Sequence, residues 1–403
     1  MSGNSRGGQR GFLALELDGD GAHPAAWRKA RHAPDELLTG SRIRSTVLAA
    51  ESAGFHVATF ADGPVNSRPD GMGCDVAGRL NALHRAAFAG PVTSSIVLVP
   101  EADTVYTEPF HISTQLASLD YVSGGRAGWL VAASRSAEEA AAVGRSFVEG
   151  AGLPQEAAAS VEVSRRLWDS WEDDAVIRDV PTGRYLDVDK LHYVDFETPP
   201  DFAGAGYSVK GPSIIPRPLQ GQLPVIAQSG LLPSAADVVL VSAPTPELLA
   251  AEVAEVRARW AGDGGRAVIG GGPAVVAELD VVLDSRGQSA SARLAELDAF
   301  TSWSSSRARF VGTAAELVDF LADLLTVADG IRLHPAVLDV ELEELAQLVL
   351  PKLRRRGVLK PVVQGATFRE LLGLERPVSR YRHVGASAGR GAEATAAVVG
   401  SEN

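Results

Sequence analysis

Tyr106-Thr107-Glu108-Pro109-Phe110-His111 leads through Ile112, Leu116, Leu119 and Val122 into Ser123-Gly124-Gly125-Arg126-Ala127-Gly128-Trp129-Leu130-Val131. Pro109 suits the first turn of a helix, where the missing N–H costs nothing. The four apolar residues recur at helical spacing, and Gly124-Gly125 stop the helix. Residues 92–100 and Ala127–Ala133 are apolar runs without alternation, as parallel strands covered on both faces should be. Strand, helix and strand in this order imply a right-handed parallel crossover.

The same rhythm extends in both directions. Gly11–Leu17 reads as a strand, a helix runs through Ile43, Val47 and Ala50 to Gly54, and His56–Ala61 is a second strand with Asp62 at its end. A Gly/Pro-rich loop, Pro64–Asp75, precedes a helix predicted over Val76–Phe88. On the C-terminal side come helices over Ala137–Arg145 and from Gln155 onward, then a proline-rich segment, about 172–223, that breaks the alternation. It reads as an insertion with strand-like pieces crossing a barrel mouth. Strands follow at Val225–Gln228, Val238–Val241 and Ala267–Ile269, and helices at Pro246–Trp260, Ala292–Phe300 and Ala314–Leu325. Thr301–Arg309 is a second polar excursion, Asp329–Pro335 a last strand with His334 at its exit, and Val340–Leu353 a closing helix. About eight such alternations favour an α/β fold, a (β/α)8 TIM barrel with insertions, over an open doubly wound sheet. The expected domain is 11–374, with flexible tails at 1–10 and 385–403.

Composition narrows the function. The chain has 403 residues, 45% hydrophobic, and a formal net charge of −12. That balance argues against nucleic acid or an anionic membrane surface as partner. A single cysteine, Cys74, excludes an internal disulfide framework and a cysteine-rich zinc site. The Asp18–Gly21 turn lacks the closing Glu of a calcium loop, so no metal is expected. No apolar run approaches the roughly 20 residues of a membrane span. A cytoplasmic protein is expected.

Several stretches in order carry a resemblance. The signature Glu108-Pro109-Phe110-His111 … Ala117-Ser118-Leu119-Asp120-Tyr121-Val122-Ser123-Gly124-Gly125-Arg126-Ala127-Gly128-Trp129 is joined by Ala25–Arg28, Phe60–Asp62, Leu167–Val176, Tyr207–Pro212, Pro224–Gly230, Arg354–Gly357 and Thr367–Leu374. Together they closely resemble the bacterial luciferase-like flavin-dependent monooxygenases, in the branch of nitrilotriacetate and dibenzothiophene-sulfone monooxygenases. The resemblance implies a barrel that takes reduced FMN (FMNH2) from a separate NAD(P)H:flavin reductase. With O2 it would oxidise a small organic substrate, and a homodimer is the family expectation. It also implies cofactor-binding roles: Asp62 as a flavin-pocket acid, Thr104 as a flavin contact, and Ser134 at the end of the fourth strand. Gln228, Ser229 and Gly230 match a turn whose backbone N–H groups hold phosphate at a helix N-terminus.

The chain also departs from that pattern. Leu130 stands where the family has Asn, and Gly150 and Pro154 where it has His and Tyr. Leu231–Ala236 leaves too few residues for the helix after the phosphate turn. His23 and His334, each at a predicted strand exit, are the candidate catalytic acid–base groups, with structural imidazoles as the alternative. Coenzyme F420 is the alternative cofactor. A catalytically idle homologue acting as a binding or partner subunit is the third reading.

Overall fold

The computed structural model describes residues 10–63, 78–134, 136–231, 235–262 and 272–382. Eight parallel strands run in chain order around a closed barrel: β1 (Phe12–Glu16), β2 (Val57–Phe60), β3 (Val97–Asp103), β4 (Trp129–Ala132), β5 (Val225–Gln228), β6 (Val238–Val241), β7 (Ala274–Leu283) and β8 (Gly330–Pro335). Closure is made by β8 on β1, with Phe12 opposite Gly330 and Leu15 opposite Leu333. A ninth strand, Ala308–Gly312, pairs with the far end of β7.

Alternation along each strand divides the core. Leu13, Leu15, Ala58 and Leu98 join the large cluster under the helices, whereas Phe12, Ala14, Val57, Val99, Leu130 and Ile226 form a second cluster within the barrel. That inner cluster is closed at the N-terminal end of the strands by Phe368, fully buried on the short helix Phe368–Leu372.

The deciding stretch takes the expected form: a helix over Pro109–Ser123, ended by Gly124 with φ of 69°. Its glycines serve close approach. A Cβ on Gly128 would stand 2.6 Å from the Phe368 ring, and one on Gly125 2.8 Å from Thr367.

Some elements differ from expectation. The helix expected over Val76–Phe88 is found at Ala82–Ala89, where the Asn81 side chain caps its first turn. The strand expected at Ala267–Ile269 lies outside the described residues, and the seventh barrel strand is Ala274–Leu283. The end of the polar excursion Thr301–Arg309 contributes to the ninth strand. The segment 172–223 forms two small antiparallel pairs, Val176–Asp179 with Arg184–Leu186 and Phe196–Glu197 with Ser208–Val209. It does not cross the mouth. Val194, Phe196 and Val209 pack on Val163 and Leu167 of helix Gly152–Asp169 instead. Among the described residues, no helix is long and apolar enough to cross a membrane.

The Gly128–Phe368 contact yields a double-mutant test. Phe368→Ala should cost about 3–5 kcal/mol by leaving a cavity, and Gly128→Ala about 1–3 kcal/mol by overpacking. In the double variant the new methyl fills part of the void, so urea unfolding should show less destabilisation than the sum.

Candidate active site

A cavity of about 910 Å3 opens at the C-terminal ends of the strands, the end that carries chemistry in such barrels. One wall is apolar, with Leu83, Ile112 and the run Leu130–Ala133. The floor is polar and comes from strand side chains: Glu16, Glu101, Gln228, Glu278, Arg332 and His334.

Arg332 organises that floor. It is buried on β8, donates from Nη1 to Glu278 at 2.8 Å and from Nε to the Thr59 hydroxyl at 3.0 Å, and bonds Glu16 through Nη2. Glu278 also accepts from Gln228 Nε2 and Ser242 Oγ, both at 2.7 Å, and meets His334 Nε2 at 3.2 Å. Glu16 further accepts from the Thr59 hydroxyl at 2.7 Å and the Ala61 N–H at 3.0 Å. Burial alone would raise both carboxyls. The Arg332 charge and these hydrogen bonds outweigh it and hold both below the ordinary carboxylate range. Burial, assisted by the Arg332 charge, lowers His334 below the ordinary imidazole range. Glu101 behaves in the opposite way: burial, reinforced by the negative Glu16, pushes it up to about 7.

The residues singled out in the sequence are distributed unevenly. Asp62, Ser134, Gln228, Ser229 and His334 line the cavity. Asp62 also anchors the helix at Ala82, accepting from Asn81 Nδ2 at 2.7 Å and the Ala82 N–H at 2.8 Å. The Ser134 N–H donates to Asp103 at 2.6 Å, and Ser229 donates its N–H to Leu240 at 2.9 Å. Thr104 is buried behind the wall, its hydroxyl bonded to the Ala132 carbonyl at 2.9 Å. Gly230, with φ of 103°, follows Ser229 in the turn out of β5. His23 stands apart from the cavity: Nε2 meets Asp298 at 3.1 Å, Nδ1 accepts the Ala25 N–H at 3.0 Å, and Trp303 packs on the ring. The two histidines are therefore not brought together.

Glu16, Glu101, Glu278 and Arg332 escaped the sequence reading. A signal was present, because each is a charged residue embedded in an apolar strand, as in Phe12-Leu13-Ala14-Leu15-Glu16 and Ile331-Arg332-Leu333. Such residues are rarely buried unless paired.

The family model described as "Luciferase-like monooxygenase" matches residues 23–350. The chain belongs to this family of oxidoreductases. It is 29% identical to N-acetyl-S-(2-succino)cysteine monooxygenase of Bacillus subtilis, over 92% of this chain and 98% of that protein. It is 28% identical to nitrilotriacetate monooxygenase component A of Aminobacter aminovorans, over 71% and 77%. Among solved structures, a riboflavin lyase with modified FMN and riboflavin shares the fold with a TM-score of 0.78 at 23% identity, over 94% and 99%. An F420-dependent secondary alcohol dehydrogenase shares it less closely, with a TM-score of 0.57 at 12% identity, over 87% and 100%.

Removing the Arg332 cation should expose the repulsion it now offsets. Arg332→Met leaves two buried carboxylates and should cost about 3–5 kcal/mol at neutral pH. In that variant the folded-state pKa values of Glu16 and Glu278 rise above their unfolded values. Stability is then lost as pH rises, so the deficit should shrink on going down to about pH 5. Urea unfolding of both proteins at the two pH values checks this.

Proposed function

We propose that the chain is a flavin-dependent monooxygenase that holds reduced FMN in the barrel-mouth cavity and uses O2 to oxidise a small organic substrate. A separate NAD(P)H:flavin reductase delivers the reduced flavin. The observation that carries the proposal is this cavity, with one apolar wall and a hydrogen-bonding floor, at the mouth of a barrel of the luciferase-like family. Its volume lies within the roughly 300–1,000 Å3 of ligand sites.

The lining fits a flavin ring better than it fits a phosphate. Leu130–Ala133 offers a flat apolar flank, and Gln228, Ser134 and Ser229 offer polar groups at its edges. Leu130 gives no side-chain donor where the resemblance implies an Asn. In the link 229–237 no described residue is helical, so the phosphate would rely on other groups. Besides Arg332, the arginine lining the cavity among the described residues is Arg307, half-committed through Nε to Asp280 at 2.7 Å. Bound reduced flavin supplies the electrons for oxygen activation. The chain's own residues orient the ring, exclude water and supply protons.

The same link favours a second reading, in which the cofactor is F420, anchored differently. An idle partner subunit is the third. Fluorescence titration with anaerobic FMNH2, FMN, riboflavin and reduced F420 separates them. Submicromolar binding of FMNH2 is expected, tight binding of F420 alone would favour the second reading, and binding of none would leave the third. Arg307→Ala should weaken FMN about tenfold or more, the worth of a hydrogen bond to a charged group, and leave riboflavin unchanged. Assembly as a homodimer belongs to the same proposal and is tested by analytical ultracentrifugation.

A further inference from the structure

We propose that Glu101 is the cavity's proton donor, a floor carboxyl that keeps its proton up to the neutral range, facing the group of the ligand lodged against the floor beside β2 and β3. The flavin reading enters only in what that group belongs to; the protonation state is a property of the chain.

The floor brings three strand carboxylates, Glu16, Glu101 and Glu278, around one guanidinium. Two of the three take up the cation. Each nitrogen of Arg332 carries a bond, to Glu16, Glu278 or Thr59, and none of these bonds goes to Glu101. The polar side chains nearby are likewise committed: Thr59 to Glu16, and Gln228, Ser242 and His334 to Glu278. Among the described residues no side chain donates to Glu101. Its hydrogen-bonding support is the Asp62 backbone N–H, and across the strand pair on β4 it faces Leu130.

The charged and titratable groups around it come from several elements. Glu16 and Asp18 belong to β1 and its exit, Asp62 to the exit of β2, and Arg79 to the segment before helix Ala82–Ala89. Asp103 lies on Glu101's own strand, Glu278 on β7, and Arg332 and His334 on β8. Arg332 and Arg79 favour the ionised form, and burial and Glu16 oppose it. Burial lowers His334, which favours the uncharged ring there. Glu101 is partly exposed to the cavity, but ionising it would place a third negative charge beside the one guanidinium, which favours keeping its proton.

Among the described residues no side chain donates to Glu101, and its carboxyl lines the cavity. The O–H therefore has the cavity to address. It can hold a hydrogen bond to a ring carbonyl or nitrogen. In a transfer step the Glu101 O–H bond breaks, the proton goes to a ligand oxygen or nitrogen, and the electron pair stays on the carboxylate near Arg332 until a solvent proton restores it.

The test starts on the protein without cofactor. Carbon-13 carboxyl labelling of glutamate, followed by NMR from about pH 4 to about pH 9, should show one resonance titrating near neutrality and missing in Glu101→Gln. If the resonance missing in that variant titrates with the ordinary carboxyls, the proposal is overturned. Should Glu101→Gln not fold, Glu101→Asp, whose aspartate carries no label, removes the same resonance, and a missing resonance that titrates with the ordinary carboxyls overturns the idea. The second stage uses FMN. Wild-type affinity should fall about tenfold as pH rises through the Glu101 titration, while Glu101→Gln, which still donates, stays flat over that range. An identical pH dependence in both would sink the donor role. Failure of FMN to bind at any pH would count against the flavin reading and leave the NMR result standing.

Discussion

Closure of the barrel places β1, β7 and β8 side by side, and the inward positions at their upper ends are Glu16, Glu278 and Arg332. Burying these charges singly would be very costly, because each would lose its hydration in a low-dielectric interior. Together they form a bridged set: one guanidinium spans both carboxylates and the Thr59 hydroxyl of β2. The set requires the observed register, in which Arg332 lies level with Glu278 on one side and with Ala14 on the other. A slip by one residue would turn Arg332 toward the helices and leave two carboxylates inside. The ion pairs therefore act less as a net source of stability than as a constraint on register.

The best-punctuated stretch of the sequence serves the other end of the barrel. Arg126 is buried and ties down the entry to β3, donating to the carbonyls of Gly90, Thr93 and Ile96 at 2.6–3.0 Å. Asp120 accepts from the Gln220 side chain at 2.6 Å, and Gln220 also donates to the Ala127 carbonyl at 2.8 Å. The segment leading into β5 is thereby fixed to the turn before β4. Gly128 leaves room for Phe368, and Trp129 meets Trp168 edge to face with centroids 6.4 Å apart. These residues hold the scaffold. Of the whole run, Tyr106, Thr107, Ile112, Gln115, Leu130 and Val131 reach the cavity.

That division explains what was legible. Seven barrel strands and the helix at Pro109 could be read from punctuation and apolar runs, because proline, glycine and helical spacing act locally. The seventh strand was not. Ala274–Leu283 carries Glu278 and Asp280 inside an apolar run, and its alternation of charge makes sense only once a closed barrel supplies an interior for both carboxylates. The fourfold floor of Glu16, Glu101, Glu278 and Arg332 draws on residues more than three hundred positions apart in sequence, Glu16 and Arg332 being separated by 316. No local spacing rule can join them. Histidines at strand exits looked like better candidates, yet His23 is spent on the Asp298–Trp303 corner outside the cavity.

The floor and the rim of the site are built differently, and the difference bears on chemistry. Glu16, Glu101, Glu278 and Arg332 lie on barrel strands, whose positions are set by ladders on both sides. Asp62, Ser134, Ser229 and Arg307 stand on the connections above. A charge change on the rim can be met by a loop shift or by solvent. A charge change on the floor is met less easily, because strands paired on both sides resist displacement and the guanidinium is already divided between two carboxylates. Electrostatics held fixed in this way cost no reorganisation at the moment a ligand gains or loses charge. The same register that lets Arg332 close the barrel leaves Glu101 as the floor carboxyl without a cation of its own. Barrel closure and the proton kept at the cavity floor thus have one physical cause.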